Sequence, residues 1–199
     1  MVKIGSYFRH YQFEHGLRML EKGYVAARDA LQAEIERTKI EAVAYEEALA
    51  NGGEWIGELE DGRILWEQSQ VYDAQIDDVH HALFEVRKAF VIALYHHWEH
   101  SAAGWKGGYA AHDELAKYCA GEGYGPSPEL GAVQCLANHL KHGPNSRTDW
   151  LGLLRNNYPS FLARGSGFLF GLSEDDLYKV AATILASGPG APRPDTPQK

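Results

Sequence analysis

A short polar motif in the second half of the chain carries side chains that could do acid–base chemistry. Asn138 and His142 are four residues apart, and Lys141 lies three residues after Asn138. On a helix this spacing places an amide, an ammonium group and an imidazole on one face, where the imidazole could transfer a proton. Gly143 and Pro144 predict that the helix ends directly after His142. The same pattern also fits a solvated helix end whose charges only complement the helix dipole.

A histidine cluster, HHxEH, offers a different chemistry. His96 and His100 are four residues apart and could hold a divalent transition metal from one helix face. A metal site needs a third ligand, which His112, His139 or His142 could supply from a shorter helix. Small helical bundles of the DinB-like kind use three histidines in this manner, by analogy. The competing interpretation is a helix C-terminus, where positive charge is favourable.

Long helices must position both groups. Apolar residues recur at spacings of four and three from Phe13 to Leu49, with Thr38 as the interruption. A second series with the same spacing runs from Tyr72 to Trp98. This period is typical of amphipathic helices, so the sequence predicts two long helices that pack antiparallel.

An Asp-Gly dipeptide between the two long helices predicts a β-hairpin over residues 54–67. A two-residue turn at this dipeptide would place Leu59 opposite Ile64 and Glu60 opposite Arg63. Because an isolated hairpin is only marginally stable, its two flanking tryptophans are expected to pin it onto the helices or onto a partner chain.

Shorter helices are predicted in the second half of the chain. One of them would be capped by Asn145 or Ser146, and the last by Ser173. The predicted fold class is therefore all-α: a helical bundle with two long antiparallel helices, several shorter helices and one small hairpin. We expect a single domain over residues 1–187 and a Pro/Gly-rich tail over residues 188–199.

Composition excludes several function classes. The formal net charge of −8 argues against a broad electrostatic grip on nucleic acid. Cys119 and Cys135 form no CxxC pair, and no apolar signal segment precedes the first charged residues, so we expect a cytoplasmic protein. No apolar run is long enough to enter a membrane. The closely spaced glycines of residues 164–171 predict a tight loop, since no P-loop lysine follows them.

The two long helices, the shorter ones after them and the motif that ends in histidine resemble the HEPN superfamily. These helical domains are common in prokaryotic toxin, abortive-infection and other defence proteins. The family signature is an arginine, a polar residue, a few further positions and a histidine; Asn138 and His142 match the last two conserved types. Ala137 stands where the arginine is expected. Family members without this arginine are often non-catalytic.

The resemblance implies a metal-independent endoribonuclease site, without a cofactor and usually doubled across a homodimer. His142 would activate the ribose 2′-hydroxyl, and Lys141, Arg147 or Arg87 would supply the missing cation. Arg87 lies at the edge of the second apolar stripe, where it would alternatively pair with a carboxylate. Three functions remain open: a weak endoribonuclease, a non-catalytic module that dimerises or binds RNA or a protein partner, and a metal-binding bundle.

Overall fold

The computed structural model describes residues 5–162 and 172–190 of the 199-residue chain. Within these residues the chain forms six helices and one two-stranded hairpin, which confirms the predicted all-α class. No helix in this part of the chain is both long enough and apolar enough to span a membrane. The loop predicted for residues 164–171 lies outside the described residues. In chain order the elements are α1 (Ser6–Ala50), β1 (Gly57–Glu60), β2 (Arg63–Glu67), α2 (Gln68–Lys106), α3 (His112–Gly121), α4 (Leu130–His142), α5 (Trp150–Asn157) and α6 (Glu174–Ala186).

The chain divides into two compact units. One unit contains the described residues up to Gly23 and from Arg87 onward, and the other contains Tyr24–Val86. Helices α1 and α2 each contribute a segment to both units. This division does not test the prediction of a single domain over residues 1–187, which stays a prediction.

The contacts within each unit show that α1 and α2 run antiparallel. In the first unit Phe13, near the start of α1, stacks on His97 and meets the edge of Trp105, both in the later part of α2. In the second unit Tyr45, near the end of α1, contacts Tyr72 near the start of α2. The antiparallel arrangement predicted from the two apolar stripes is therefore confirmed.

Thr38, which interrupts the apolar stripe of α1, does not interrupt its packing. The side chain is buried, and its hydroxyl donates a 3.0 Å hydrogen bond to the carbonyl of Glu34 one turn earlier. This bond satisfies the hydroxyl inside its own helix, so a threonine can occupy a buried position there.

The hairpin in the second unit forms with the predicted register. Leu59 pairs with Ile64 and Glu60 with Arg63, and a bulge interrupts the ladder beyond Leu59. Both turn residues, Asp61 and Gly62, have positive φ angles of 50° and 78°. Positive φ at both central residues is the requirement of a type I′ turn, which explains why an Asp-Gly pair predicted the hairpin correctly.

A buried hydrogen-bond network joins three segments of the first unit. The Trp98 indole N–H donates to the carbonyl of Ser187 at 3.0 Å, and the Ser187 hydroxyl donates to the carbonyl of Thr183 at 2.7 Å. The backbone N–H of Ser127 donates to the same Ser187 hydroxyl oxygen at 3.0 Å. The segment after α6 is thus fixed to α2 and to the loop before α4.

The first two residues of the predicted tail belong to this packed region. Gly188 and Pro189 are buried, and the Pro189 carbonyl accepts a 2.7 Å hydrogen bond from Nδ1 of His10. A Cβ atom at Gly188 would overlap the Phe13 ring, so only glycine fits there. Gly190 is exposed, and residues 191–199 of the predicted tail lie outside the described residues.

The ends of the shorter helices follow local capping rules. Ser173 caps α6 in a complete capping box with Asp176, as the sequence predicted. The prediction that Asn145 or Ser146 caps α5 was wrong, because α5 begins later and Asp149 accepts a 2.8 Å hydrogen bond from the Gly152 N–H. Asp149 is an equally good capping residue, and it lies directly before the first helical position.

Candidate functional site

The polar motif lies in the last turn of α4, as its sequence predicted. Lys141 and His142 are exposed, and Asn138 is partly buried. The helix ends at His142, and the N–H of Gly143 donates a 2.8 Å hydrogen bond to the carbonyl of His139. Gly143 has a φ of 67° and a ψ of −172°, a conformation that only glycine adopts without strain. The three side chains are therefore carried to the end of a rigid helix.

The position expected to carry arginine faces the core. Ala137 is only 2% exposed, and its neighbour His139 is 5% exposed. Burial lowers the pKa of His139 below its ordinary value, with Asp149 raising it and Arg155 lowering it. Helix α4 is buried on most sides, so a long charged side chain at position 137 would have to fit among packed side chains.

Arg87 is engaged on another helix. Its Nη2 donates a 3.0 Å hydrogen bond to Oε1 of Glu174 in the first turn of α6, and both side chains are partly buried. Pairing with a carboxylate was the alternative interpretation of this arginine, and Glu174 of another helix is that carboxylate. Among the described residues, no hydrogen bond or ion pair joins Arg87 to Asn138, Lys141 or His142.

The histidine cluster lies within α2, about two turns before the helix ends at Lys106, so the helix-end interpretation was wrong. The rings of His96 and His100 are neighbours, with centroids 6.0 Å apart and an angle of 52° between their planes. His97 points into the core, where its Nε2 donates a 2.9 Å hydrogen bond to the carbonyl of Phe13. Burial lowers the pKa of His97, which keeps the ring neutral near pH 7.

The described residues contain no group of three histidine, cysteine or acidic side chains placed to hold a metal ion. Of the candidates for a third ligand, His112 is bound to a tyrosine and His139 is buried in α4. His96 and His100 are thus two potential metal ligands, and the described residues place no third ligand beside them.

Sequence reasoning missed a buried pair between α2 and α3. The Tyr95 hydroxyl lies 3.0 Å from Nδ1 of His112, and the two rings stack with centroids 5.9 Å apart. Burial raises the pKa of Tyr95 strongly, with contributions from Glu99 and Cys135, so its phenol stays protonated. Burial also lowers the pKa of His112. A protonated phenol therefore shares this hydrogen bond with a neutral imidazole.

The sequence held only a partial signal for this pair. Tyr95 belongs to a run of apolar residues that predicted contact on more than one side, and His112 opens a short predicted helix. Their contact depends on how α3 folds back onto α2 through the connection between them. That packing has no periodicity from which it could be predicted.

Comparison of the chain with models of protein families, with curated protein sequences and with solved structures gave no match.

Proposed function

We propose that this protein is a HEPN-like, non-catalytic interaction module without the family arginine. We further propose that it forms a homodimer and that its hairpin is the dimer contact. One observation carries the proposal: the hairpin exposes an unusual amount of apolar surface. Leu59 is 58% exposed, Ile64 52% and Leu65 51%. Trp55, Ile56 and Trp66 next to them are also exposed. Contiguous exposed apolar residues of this kind mark interaction sites.

The hairpin has few internal means of stabilising itself. It is a sheet of two strands, and such a sheet is marginally stable in water when nothing covers it. Each tryptophan makes one polar contact, from the Trp55 indole to Glu67 at 3.3 Å and from the Trp66 indole to Glu58 at 3.1 Å. These contacts hold the tryptophans against the hairpin, where Trp55 remains 37% and Trp66 39% exposed.

The charges of β2 favour a second copy of this chain as that partner. Arg63 and Glu67 lie at opposite ends of the strand, on either side of the apolar residues Ile64, Leu65 and Trp66. In a twofold-symmetric antiparallel contact, the Arg63 end of one β2 strand faces the Glu67 end of the other. Closed twofold contacts are the commonest form of homodimer, and this strand is self-complementary in both charge and apolarity.

The geometry at the end of α4 supports a binding role over RNA cleavage. A metal-independent ribonuclease needs a cation to stabilise charge on the phosphate as well as an imidazole. The position of the family arginine is occupied by the buried Ala137, and Arg87 is paired with Glu174. The cation within the motif is therefore Lys141, a flexible ammonium group in place of the family's planar guanidinium. Asn138, Lys141 and His142 are then an accessible polar surface, which a defence-type module would present to RNA or to a protein partner.

Charge reversal in β2 tests the dimer. Arg63→Glu and Glu67→Arg would each place like charges at two symmetric contacts and weaken association by about 1–2 kcal/mol, or roughly five- to thirtyfold in Kd. The double variant Arg63→Glu/Glu67→Arg restores both contacts with reversed polarity. Sedimentation velocity over a concentration series should show a weakened dimer in each single variant and a wild-type dimer in the double variant.

The control reverses an exposed charge of the same unit outside the hairpin, Glu46→Lys, and should leave the Kd unchanged. A wild-type protein that is monomeric at high micromolar concentration would overturn the dimer. So would a double variant no better than the single ones, because the charges would then not meet.

A ribonuclease assay tests the non-catalytic part of the proposal separately. Wild-type protein and His142→Ala are incubated with a mixed RNA pool, each with and without EDTA, and we expect no cleavage in any arm. EDTA-resistant cleavage lost in His142→Ala would instead establish a metal-independent ribonuclease. EDTA-sensitive cleavage would move the chemistry to His96 and His100.

A further inference from the structure

The first unit contains an open cleft of about 340 Å³ between α3, α4 and α5. This volume is at the lower end of the range found for small-molecule sites. Its wall combines an apolar part with a polar part. Leu130, Leu153 and Trp150 provide the apolar surface, and His112, Asp113 and Gln134 provide polar groups.

The polar wall is held in place before any ligand arrives. Nδ1 of His112 is bound to the hydroxyl of the buried Tyr95, and this is the ring's only hydrogen bond among the described residues. Because burial lowers the pKa of His112, the ring is neutral near pH 7 and adds no positive charge to the cleft.

A glycine shapes the opposite side of the cleft. The hydroxyl of Tyr158 lies so close to Gly131 that a Cβ atom there would overlap it and would approach Cζ to 3.1 Å. The absent side chain on α4 therefore makes room for the hydroxyl end of Tyr158. Both residues line the cavity.

The charge of the wall selects the kind of ligand. Asp113 is the acidic residue of the lining, and none of the described lining residues is a lysine or an arginine. Asp113 lies in the first turn of α3, where its carboxylate also offsets the positive end of that helix. An anion would meet the carboxylate without a compensating cation among the described lining residues, whereas an ammonium group would meet a carboxylate in a cleft that the Trp150 indole also lines.

We propose that this cleft binds a small organic amine. The ammonium group lies beside Asp113, and the apolar body packs against Trp150, Leu130 and Leu153. Neutral His112 does not repel the cation. This inference concerns the first unit and does not depend on dimerisation through the hairpin.

Titration by NMR tests the proposal with three probes of one shape and different charge. Benzylamine is the cation at pH 7.5, benzyl alcohol the neutral analogue and benzoate the anion. The indole N–H signal of Trp150, assigned by its loss in Trp150→Phe, reports binding in the cleft. Signals of the exposed Trp55 and Trp66 report non-specific contact. We expect saturable shifts of the Trp150 signal with benzylamine, weaker ones with benzyl alcohol and none with benzoate.

Two matched substitutions on α3 locate the ammonium group. Asp113→Asn removes the carboxylate and keeps the shape, and should weaken benzylamine binding by about fivefold, the effect of one partly exposed ion pair. Glu114→Gln removes the next acidic residue, which is paired with Lys106 and does not line the cleft, and should leave the affinity unchanged.

Three results would overturn the proposal. One is the absence of saturable Trp150 shifts at millimolar benzylamine. The second is equal affinity for the three probes, which would make the cleft a non-selective apolar surface. The third is an equal loss in Asp113→Asn and Glu114→Gln, which would mean that only the net charge of the protein matters.

Discussion

Replacing Gly16 with alanine tests how closely α1 packs against α2 in the first unit. A Cβ atom at Gly16 would lie 2.9 Å from Nε2 and 3.1 Å from Nδ1 of His97, closer than side chains normally approach. The His97 ring cannot simply rotate away, because it stacks on Phe13 at 5.1 Å and its Nε2 is bound to the Phe13 carbonyl. The substitution must therefore displace the ring or separate the helices.

The magnitude follows from these contacts. Displacing the ring loses a buried hydrogen bond, about 1 kcal/mol, and an aromatic stack, about 1 kcal/mol. Alanine is favoured over glycine inside a helix by about 1 kcal/mol, which offsets part of the loss. Residual overpacking adds to the cost. We expect Gly16→Ala to lower the free energy of unfolding by about 1–3 kcal/mol.

Gly23 provides the matched control on the same helix. A Cβ atom there meets nothing within 4 Å, so Gly23→Ala should raise the free energy of unfolding by up to about 1 kcal/mol through helix propensity alone. Urea denaturation followed by far-UV circular dichroism measures both variants. The two alanines should then change stability in opposite directions.

A double-mutant cycle identifies His97 as the cause. In a His97→Ala background the ring is absent, so the added Cβ of Gly16→Ala has space and its cost should fall by at least about 1 kcal/mol. Equal stabilisation by Gly16→Ala and Gly23→Ala would refute the reasoning. A cost of Gly16→Ala that persists unchanged without the imidazole would refute it equally.

Three further predictions concern pH and the helix ends. Burial lowers the folded-state pKa of His97, His112 and His139 below the ordinary value of 6.5, so the unfolded chain binds more protons below that pH. The stability contributed by these histidines is complete above about pH 6.5, and the free energy of unfolding should fall as the pH drops, by at most about 1.4 kcal/mol per pH unit for each histidine. Urea titrations at pH 7.5 and 5.5 should show a smaller fall in the free energy of unfolding for His139→Gln than for the wild type. Gly143→Ala should cost about 1–3 kcal/mol by thermal denaturation, because φ is 67° there, and an unchanged midpoint would contradict that conformation. Ser173→Ala removes one half of a capping box and should cost about 1 kcal/mol, whereas Ser173→Asn should retain most of the stability.

Local chemistry explains which parts of the fold were predictable. The Asp-Gly turn has one favoured geometry, so the pairing of Leu59 with Ile64 followed from the sequence. The end of α4 could also be predicted, because Gly143 can adopt the positive φ found after a helix and Pro144 cannot continue one. Thr38 was read as an interruption because a side-chain bond to its own helix leaves no trace in a pattern of apolar spacing.

Contacts between distant segments could not be predicted. Arg87 and Glu174 are 87 positions apart, and no sequence pattern links them. The pairing of Tyr95 with His112 and the burial of Ser187 depend on the packing of several elements at once. The residues of the polar motif could be placed on their helix, but the burial of Ala137 among them depends on what packs around α4.

The burial of Gly188 against Phe13 has a consequence for the order in which the protein is made. Phe13 leaves the ribosome about 175 residues before Gly188, a delay on the order of 10–35 s at ordinary rates of translation. The second unit, Tyr24–Val86, is continuous and has all its residues long before then. Phe13 can meet His97 and Trp105 of α2 well before Gly188 is made, but the packing around it is complete only when the segment after α6 has been synthesised.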